Sequence, residues 1–125
     1  MKHEITIDGR FPSYNEYTNI QRGDRYAGNR MKQKYQRICE WNIRKRMRKV
    51  RLDGPISVHI TCYEERRNRD LDNVAGFFFK VFLDAMVQCG TIQNDNFKHV
   101  THLSASAALD KKHPRVVVTI EEQNE

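Results

Sequence analysis

The stretch Asp70-Leu71-Asp72-Asn73-Val74-Ala75-Gly76-Phe77-Phe78-Phe79-Lys80-Val81-Phe82-Leu83-Asp84-Ala85-Met86-Val87-Gln88-Cys89-Gly90 decides how the rest of the chain must be arranged. From Leu71 to Cys89 apolar residues stand at nearly every helical angle, and Gly90 is a C-terminal stop, so the spacing predicts a helix buried on almost every side. A chain of 125 residues builds one modest core. Such a core covers only part of this rod, and a partner subunit is expected to cover the remainder. The polar exceptions are ordered: at 100° per residue, Asn73, Lys80 and Asp84 fall within about 40° of one another. Helical side chains lean toward the N-terminus, so Lys80 is expected to aim back toward Asp70 and Asp72, with Asp84 one turn later to hold it. Lys80 then either neutralises a phosphate or an attacking hydroxide, or simply pairs with Asp84 at a subunit interface.

Working outward, Glu64 to Arg69 is a charged connector. Before it, Ile56, Val58, Ile60 and Cys62 alternate with Ser57, His59, Thr61 and Tyr63, the pattern of a half-buried strand. Leu52-Asp53-Gly54-Pro55 is a turn. Asn29 to Val50 contains neither proline nor glycine and predicts one long basic amphipathic helix, with Met31, Tyr35, Ile38 and Trp41 on its apolar stripe and Trp41 in the core. Arg10 to Gly28, punctuated by Pro12, Ser13, Asn15, Asn19 and Gly23, reads as an irregular loop with at most one helical turn. Tyr14, Tyr17 and Tyr26 interleave there with basic residues, a composition that either grips a sugar-phosphate backbone or packs over a sheet edge. His3 to Asp8 is a first strand. After the rod come a short loop through Asn94, Asp95 and Asn96, a strand from His99 to Leu109, a turn, and a last strand from Arg115 to Glu121. The expected fold is α+β, one domain over residues 1–125. It has a small mixed sheet of about four strands, a long basic helix and a buried apolar helix, in the order strand-helix-strand-helix-strand-strand.

The net charge of +6 is unevenly placed. Between Arg22 and Arg51 stand twelve basic residues against Asp24 and Glu40 alone, so this segment carries +10 and the remainder −4. Either a polyanion binds this segment or it is a solvated helix face. No apolar run reaches 18 residues, and the opening Met1-Lys2-His3-Glu4-Ile5 lacks the apolar centre of a signal peptide, so a soluble cytoplasmic protein is expected. Cys39, Cys62 and Cys89 are odd in number and widely spaced, which predicts buried thiols rather than a disulfide framework or a thiolate zinc site.

Asp70 and Asp72 lie two apart where an extended segment enters the rod, so their carboxylates can share a face and one ion. Oxygen donors suit Mg²⁺, with Mn²⁺ as a substitute, and the positive end of a helix dipole favours a phosphate there. The plain alternative is that one of them only caps the helix. His99 and His102 follow Asp95 closely enough to serve a metal or leaving group, although strand histidines facing solvent are commoner; His3, His59 and His113 are read as structural.

Taken in order, these pieces resemble the RusA family of Holliday junction resolvases. The matching residues are Asp70-Leu71-Asp72-Asn73, then Lys80-Val81-Phe82-Leu83-Asp84-Ala85-Met86, Gly90, Asn94-Asp95, the opening Gly9-Arg10-Phe11-Pro12-Ser13-Tyr14-Asn15-Glu16-Tyr17 and the closing Val116 to Glu122. The resemblance implies Mg²⁺-dependent nicking of paired strands at four-way DNA junctions by a homodimer in recombination and repair, with no organic cofactor, a nucleoid-associated location on DNA and a phage or prophage setting. It also implies a site of Asp70, Asp72 and Asp95 as metal ligands with Lys80 beside them. One departure is visible: shorter members carry the lysine three residues after the Asn of the motif, where Gly76 stands here. Phosphate contacts are expected from Arg10, Arg22, Arg25, Arg30, Lys32, Lys34, Arg66, Arg67, Arg69 and Lys98. The rival readings are a non-catalytic basic dimer and a nuclease for other branched nucleic acids.

Overall fold

The alternation of Ile56, Val58, Ile60 and Cys62 with polar residues sets the middle of a sheet whose buried side chains all point one way. A computed structural model describes residues 2–123. Its elements are β1 (Lys2–Asp8), α1 (Tyr14–Gly23), α2 (Arg25–Arg46), β2 (Ile56–Glu64), α3 (Leu71–Gln88), β3 (Val100–Leu109) and β4 (Arg115–Glu122). The sheet order is β1-β4-β2-β3, antiparallel except for the β2 and β3 pair, which α3 joins as a parallel crossover. Ile5, Val118 and Ile60 lie side by side across three strands and are fully buried. The α+β class and the four mixed strands are therefore as expected, and the strand boundaries agree to within a residue.

The order differs in one element. Arg10 to Gly28 is not an irregular loop: α1 occupies Tyr14–Gly23, giving strand-helix-helix-strand-helix-strand-strand. Its start is a capping box, in which the Ser13 hydroxyl accepts from the Glu16 N–H at 3.2 Å and the Glu16 carboxylate accepts from the Ser13 N–H at 3.4 Å. Asp24 ends α1 and caps α2, its carboxylate accepting from the N–H groups of Tyr26 and Ala27. So α2 begins at Arg25 rather than Asn29, and it stops at Arg46, before Val50.

α2 buries Gly28, Cys39 and Ile43, while Trp41 is 62% exposed, with the Lys45 ammonium 4.9 Å from its ring centre. Trp41 is therefore not a core residue. It sits on the outer side of the stripe, which runs at four-residue spacing through Tyr35, Cys39, Ile43 and Met47.

On α3, nine side chains are buried within a single chain. Phe78 stacks on Phe82 at 5.4 Å and meets Phe11 edge-on at 4.8 Å, while Phe77 packs among Tyr14, Tyr17 and Tyr35. One chain thus covers most of the rod, so the argument for a partner from an uncovered α3 does not hold; α1, unseen in the sequence, supplies part of the cover. Gly90 ends the helix at φ +75, and a β-carbon there would meet the Arg51 guanidinium at 2.7 Å. No described helix is long and apolar enough to cross a membrane.

Burial pushes all three thiols up, Cys62 to about 11. Cys39 and Cys62 are buried and Cys89 is half-buried. Titration with Ellman's reagent at about pH 8 is expected to find at most the Cys89 thiol reacting slowly in the native protein, and all three after denaturation. Rapid reaction of two or more would contradict this packing.

Candidate active site

Asp70 takes the N-cap position of α3 with extended backbone, yet its carboxylate makes no capping hydrogen bond. Asp72 follows in the first turn. Both are exposed, and among the described residues neither carboxylate has a hydrogen-bond or ion-pair partner. The plain capping role is thus not the one Asp70 plays. Its carboxylate borders a polar hollow lined by Arg10, Ser13, Asn15, Glu16, Asn68, Arg69 and Asn73. A carboxylate at the positive end of a helix, with amide and guanidinium groups lining the hollow beside it, makes a place where a cation and a phosphate can be held together, although Asp72 does not line this hollow.

The wall of the hollow is fixed by Arg69. Its guanidinium donates to Glu64 at 2.7 Å, to the Phe11 carbonyl at 2.5 Å and to Glu16 at 3.2 Å, and its side chain is only 14% exposed. Arg10 holds the other flank of Glu16 at 2.9 Å. Burial alone would raise the Glu16 carboxyl, but the Arg10 hydrogen bond and charge, the Arg69 charge and the Ser13 N–H outweigh it and hold it below the ordinary glutamate value. Arg69 was expected on DNA. Instead its fork is spent inside the protein, tying the end of β2, the start of α1 and the segment before α3 into one corner.

Lys80 is exposed, and its ammonium lies 3.7 Å from Asp84, which Lys32 of α2 also approaches at 3.9 Å. The side chain is therefore held toward the following turn rather than aimed at Asp72, whose backbone lies about 12 Å away along the axis. At Gly76 there is little room for a side chain. A β-carbon there would stand 2.9 Å from two carbons of the Tyr14 ring, so α1 lies close over this point of α3.

Asp95 is not gathered with Asp70 and Asp72 by the chain itself. Asp70 follows the Glu64 end of β2, whereas the loop carrying Asp95 leads back to the Ile56 end, where the Ile56 N–H donates to the His99 carbonyl. From Asp72 to Met86, α3 rises about 21 Å, and Thr91 returns its N–H to the Met86 carbonyl. Among the described residues no three His, Cys, Asp or Glu side chains lie together as a metal site. Asn94 shapes the loop by accepting from the N–H groups of Asp95 and Asn96, leaving the half-buried Asp95 with no side-chain partner among the described residues.

Against this geometry, the family model for the endodeoxyribonuclease RusA matches residues 9–121, nearly the whole chain. The chain belongs to the RusA endodeoxyribonuclease family. No curated protein matches it. Membership in a family of enzymes that cut DNA internally makes a DNA phosphodiester the class of bond on which the chain acts.

Of the expected contacts, Arg22, Arg25, Arg30, Lys34, Arg66, Arg67 and Lys98 are exposed, Arg10 is exposed but paired with Glu16, and Lys32 is half-buried beside Asp84. Arg66 and Arg67 stand next to the Asp70 corner and Lys98 at the opposite pole. His99 bonds Asn96 and His102 bonds Thr101, while His59 meets Ser104 and His113 meets Asp8, so each is engaged locally. Asn15 and Asn68, which line the hollow, went unread. The signal for Asn15 was its place inside the Ser13 to Glu16 capping box; for Asn68 there was none, because only the fold brings it beside Asp70.

Proposed function

We propose that this chain is a divalent-metal-dependent resolvase of four-way DNA junctions, working as a homodimer. The observation that carries the reading is the pair of exposed, unpartnered carboxylates of Asp70 and Asp72 at the head of α3, in a chain matched along its length by a family of DNA-cutting enzymes. Their donor chemistry fits Mg²⁺, which typically takes one or two carboxylates and fills its other positions with water and phosphate, with Mn²⁺ as a substitute. Asp95 joins them from a second chain. A cation so held supplies polarisation of the scissile phosphate and an activated water.

The chain's own groups do the positioning. Arg10, Asn15, Asn68 and Asn73 offer donors around the hollow, and the amides at the head of α3 favour the phosphate oxygens. Arg66 and Arg67 extend the cationic surface away from the site. Lys80 reaches a passing strand as a phosphate contact once it leaves Asp84, rather than as a group at the reacting atoms. A two-fold dimer presents two equivalent sites, matching the approximate two-fold of a four-way junction.

The test is cleavage of a synthetic four-way junction beside flap, fork and duplex substrates of the same sequence, with and without Mg²⁺. Paired symmetric nicks in the junction alone, absent in chelator, are expected. Binding without any Mg²⁺-dependent nicking would leave a basic scaffold, and preferential cutting of flaps or forks would move the substrate to other branched DNA.

A further inference from the structure

The end of α2 borders a hollow that the site at Asp70 does not use. About 700 Å³ in volume, it has Ile43, Met47 and Val50 as its apolar floor, Trp41 on its rim, and Cys89 and Thr91 beside them. Hollows of about 300–1,000 Å³ are those that take small ligands. Cys89 and Thr91 put it at the end of α3 remote from Asp70, about 27 Å of helical rise away. Six basic residues crowd this end, Arg44, Lys45, Arg46, Arg48, Lys49 and Arg51, and all but Arg46 line the hollow. Cations do settle at helix C-termini, but each such end presents only about half a negative charge. Two ends meet here, and Arg51 alone answers that of α3 by donating to the Gly90 carbonyl at 2.7 Å. Arg44 shares Glu40 at 3.4 Å, while Lys45, Arg46, Arg48 and Lys49 have no carboxylate partner among the described residues. That surplus suits an anion from outside. On the rim the Trp41 ring is largely exposed, and the Lys45 ammonium keeps a cation within reach of anything stacked on it.

We infer that this hollow binds an unpaired stretch of a DNA strand, with a base on the Trp41 ring and the neighbouring phosphates on Arg44, Arg48 and Lys49. A paired arm could use the cations but neither the apolar floor nor the indole, because its bases are already stacked on one another. An unpaired base brings both chemistries at once, a flat apolar face and an anion one sugar away, and interleaved aromatic and basic side chains receive that combination. An acidic peptide with apolar side chains would meet the same two needs. DNA is favoured because the chain belongs to a family that acts on it. The hollow thus gives the chain a second DNA contact, one that reads unpaired bases at a distance from the acidic corner. It needs DNA as the ligand and nothing from the metal or the four-way junction, so it stands apart from the resolvase reading.

Trp41 is the only tryptophan in the chain, so its emission reports this hollow directly, without metal and without cleavage. In chelator at low salt, oligothymidylate of about ten nucleotides is expected to quench it, and a peptide of aspartate and phenylalanine to leave it unchanged. By anisotropy of the labelled strand, Trp41→Ala is expected to bind about tenfold more weakly and Trp41→Phe to recover most of that loss. A duplex of the same length should bind Trp41→Ala within about twofold of wild type, since it rests on phosphate contacts. Arg48→Ala/Lys49→Gly removes two cations, and glycine keeps the φ of +65 at position 49 without strain. The log–log salt slope of single-strand affinity should then become shallower by about 0.7 for each cation. All these side chains are exposed, so circular dichroism is expected to show every variant folded. No single-strand binding, binding with unchanged emission, an equal loss for strand and duplex in Trp41→Ala, or an unmoved salt slope overturns the inference. Quenching by the peptide with none by the strand overturns it as well and makes the hollow a protein-docking site. A failure of junction cleavage touches only the resolvase reading, because none of these measurements involves cleavage.

Discussion

Arg69→Ala is expected to lower folding stability by about 2–4 kcal/mol, read as a fall in denaturant midpoint with little change in slope. The side chain is nearly enclosed, and its removal leaves the Glu64 carboxylate, itself 12% exposed, facing the corner without its cation. The Phe11 carbonyl and one side of Glu16 lose their donor together. Arg69→Lys keeps the charge but cannot reach three acceptors with one planar fork, so it is expected to recover less than half of the loss. A change below about 0.5 kcal/mol would mean that this corner is held by packing alone. Glu16 gives the same corner a pH signature. Its folded carboxyl titrates below the ordinary value of 4.5, so its contribution to stability is complete above that value and disappears as pH falls through the lower, folded one. Removing Arg69 takes away one of the charges responsible, and the acid-induced loss in the variant should be correspondingly shallower.

Strands and the apolar rod were legible in the sequence because a period of two or an unbroken apolar run survives whatever packs against it. β2 and β4 alternate cleanly, and Gly90 marks the end of α3 at the positive φ its position implied. α1 was missed for a physical reason. Its Asn and Gly content weakens helix propensity, it buries no residue completely, and what holds it is a capping box and the packing of Tyr14 and Tyr17 against α3. Ser13-Tyr14-Asn15-Glu16 carried that signal in four letters. Trp41 was misplaced because the buried stripe of α2 runs through Cys39 and Ile43, each two residues and about 200° of helical angle from the ring. In the site, the DxDN stretch could be placed at the head of α3 because the apolar run that follows it marks where the helix begins. Asp95 could not be placed, because a parallel β2-α3-β3 crossover sends the two ends of α3 to opposite poles, and that is a property of strand order. The role of Arg69 was equally hidden. In the sequence it is one cation among many, and only the fold surrounds it with two carboxylates and a carbonyl.

The largest effect is expected at Asp70. Asp70→Asn should lower Mg²⁺-dependent junction nicking by at least about 10³-fold, roughly 4 kcal/mol of transition-state stabilisation, while stability shifts by no more than about 0.5 kcal/mol. The contrast follows from what the carboxylate does in the fold, which is nothing: it is exposed and makes no cap hydrogen bond. Asparagine is as good an N-cap as aspartate, so α3 has no reason to fray. What asparagine cannot do is offer a negative oxygen to a divalent cation. With one fewer anion beside the DNA track, junction affinity in chelator should be unchanged or tighter. Asp84→Asn is the control on the same helix. Its carboxylate is half-buried between Lys32 and Lys80, so its loss releases two cations and should cost less than about tenfold in nicking, through binding rather than chemistry. Equal losses at the two positions would mean that general charge around α3, rather than a cation held at its head, drives cleavage; retained cleavage in Asp70→Asn would remove the metal from Asp70 altogether.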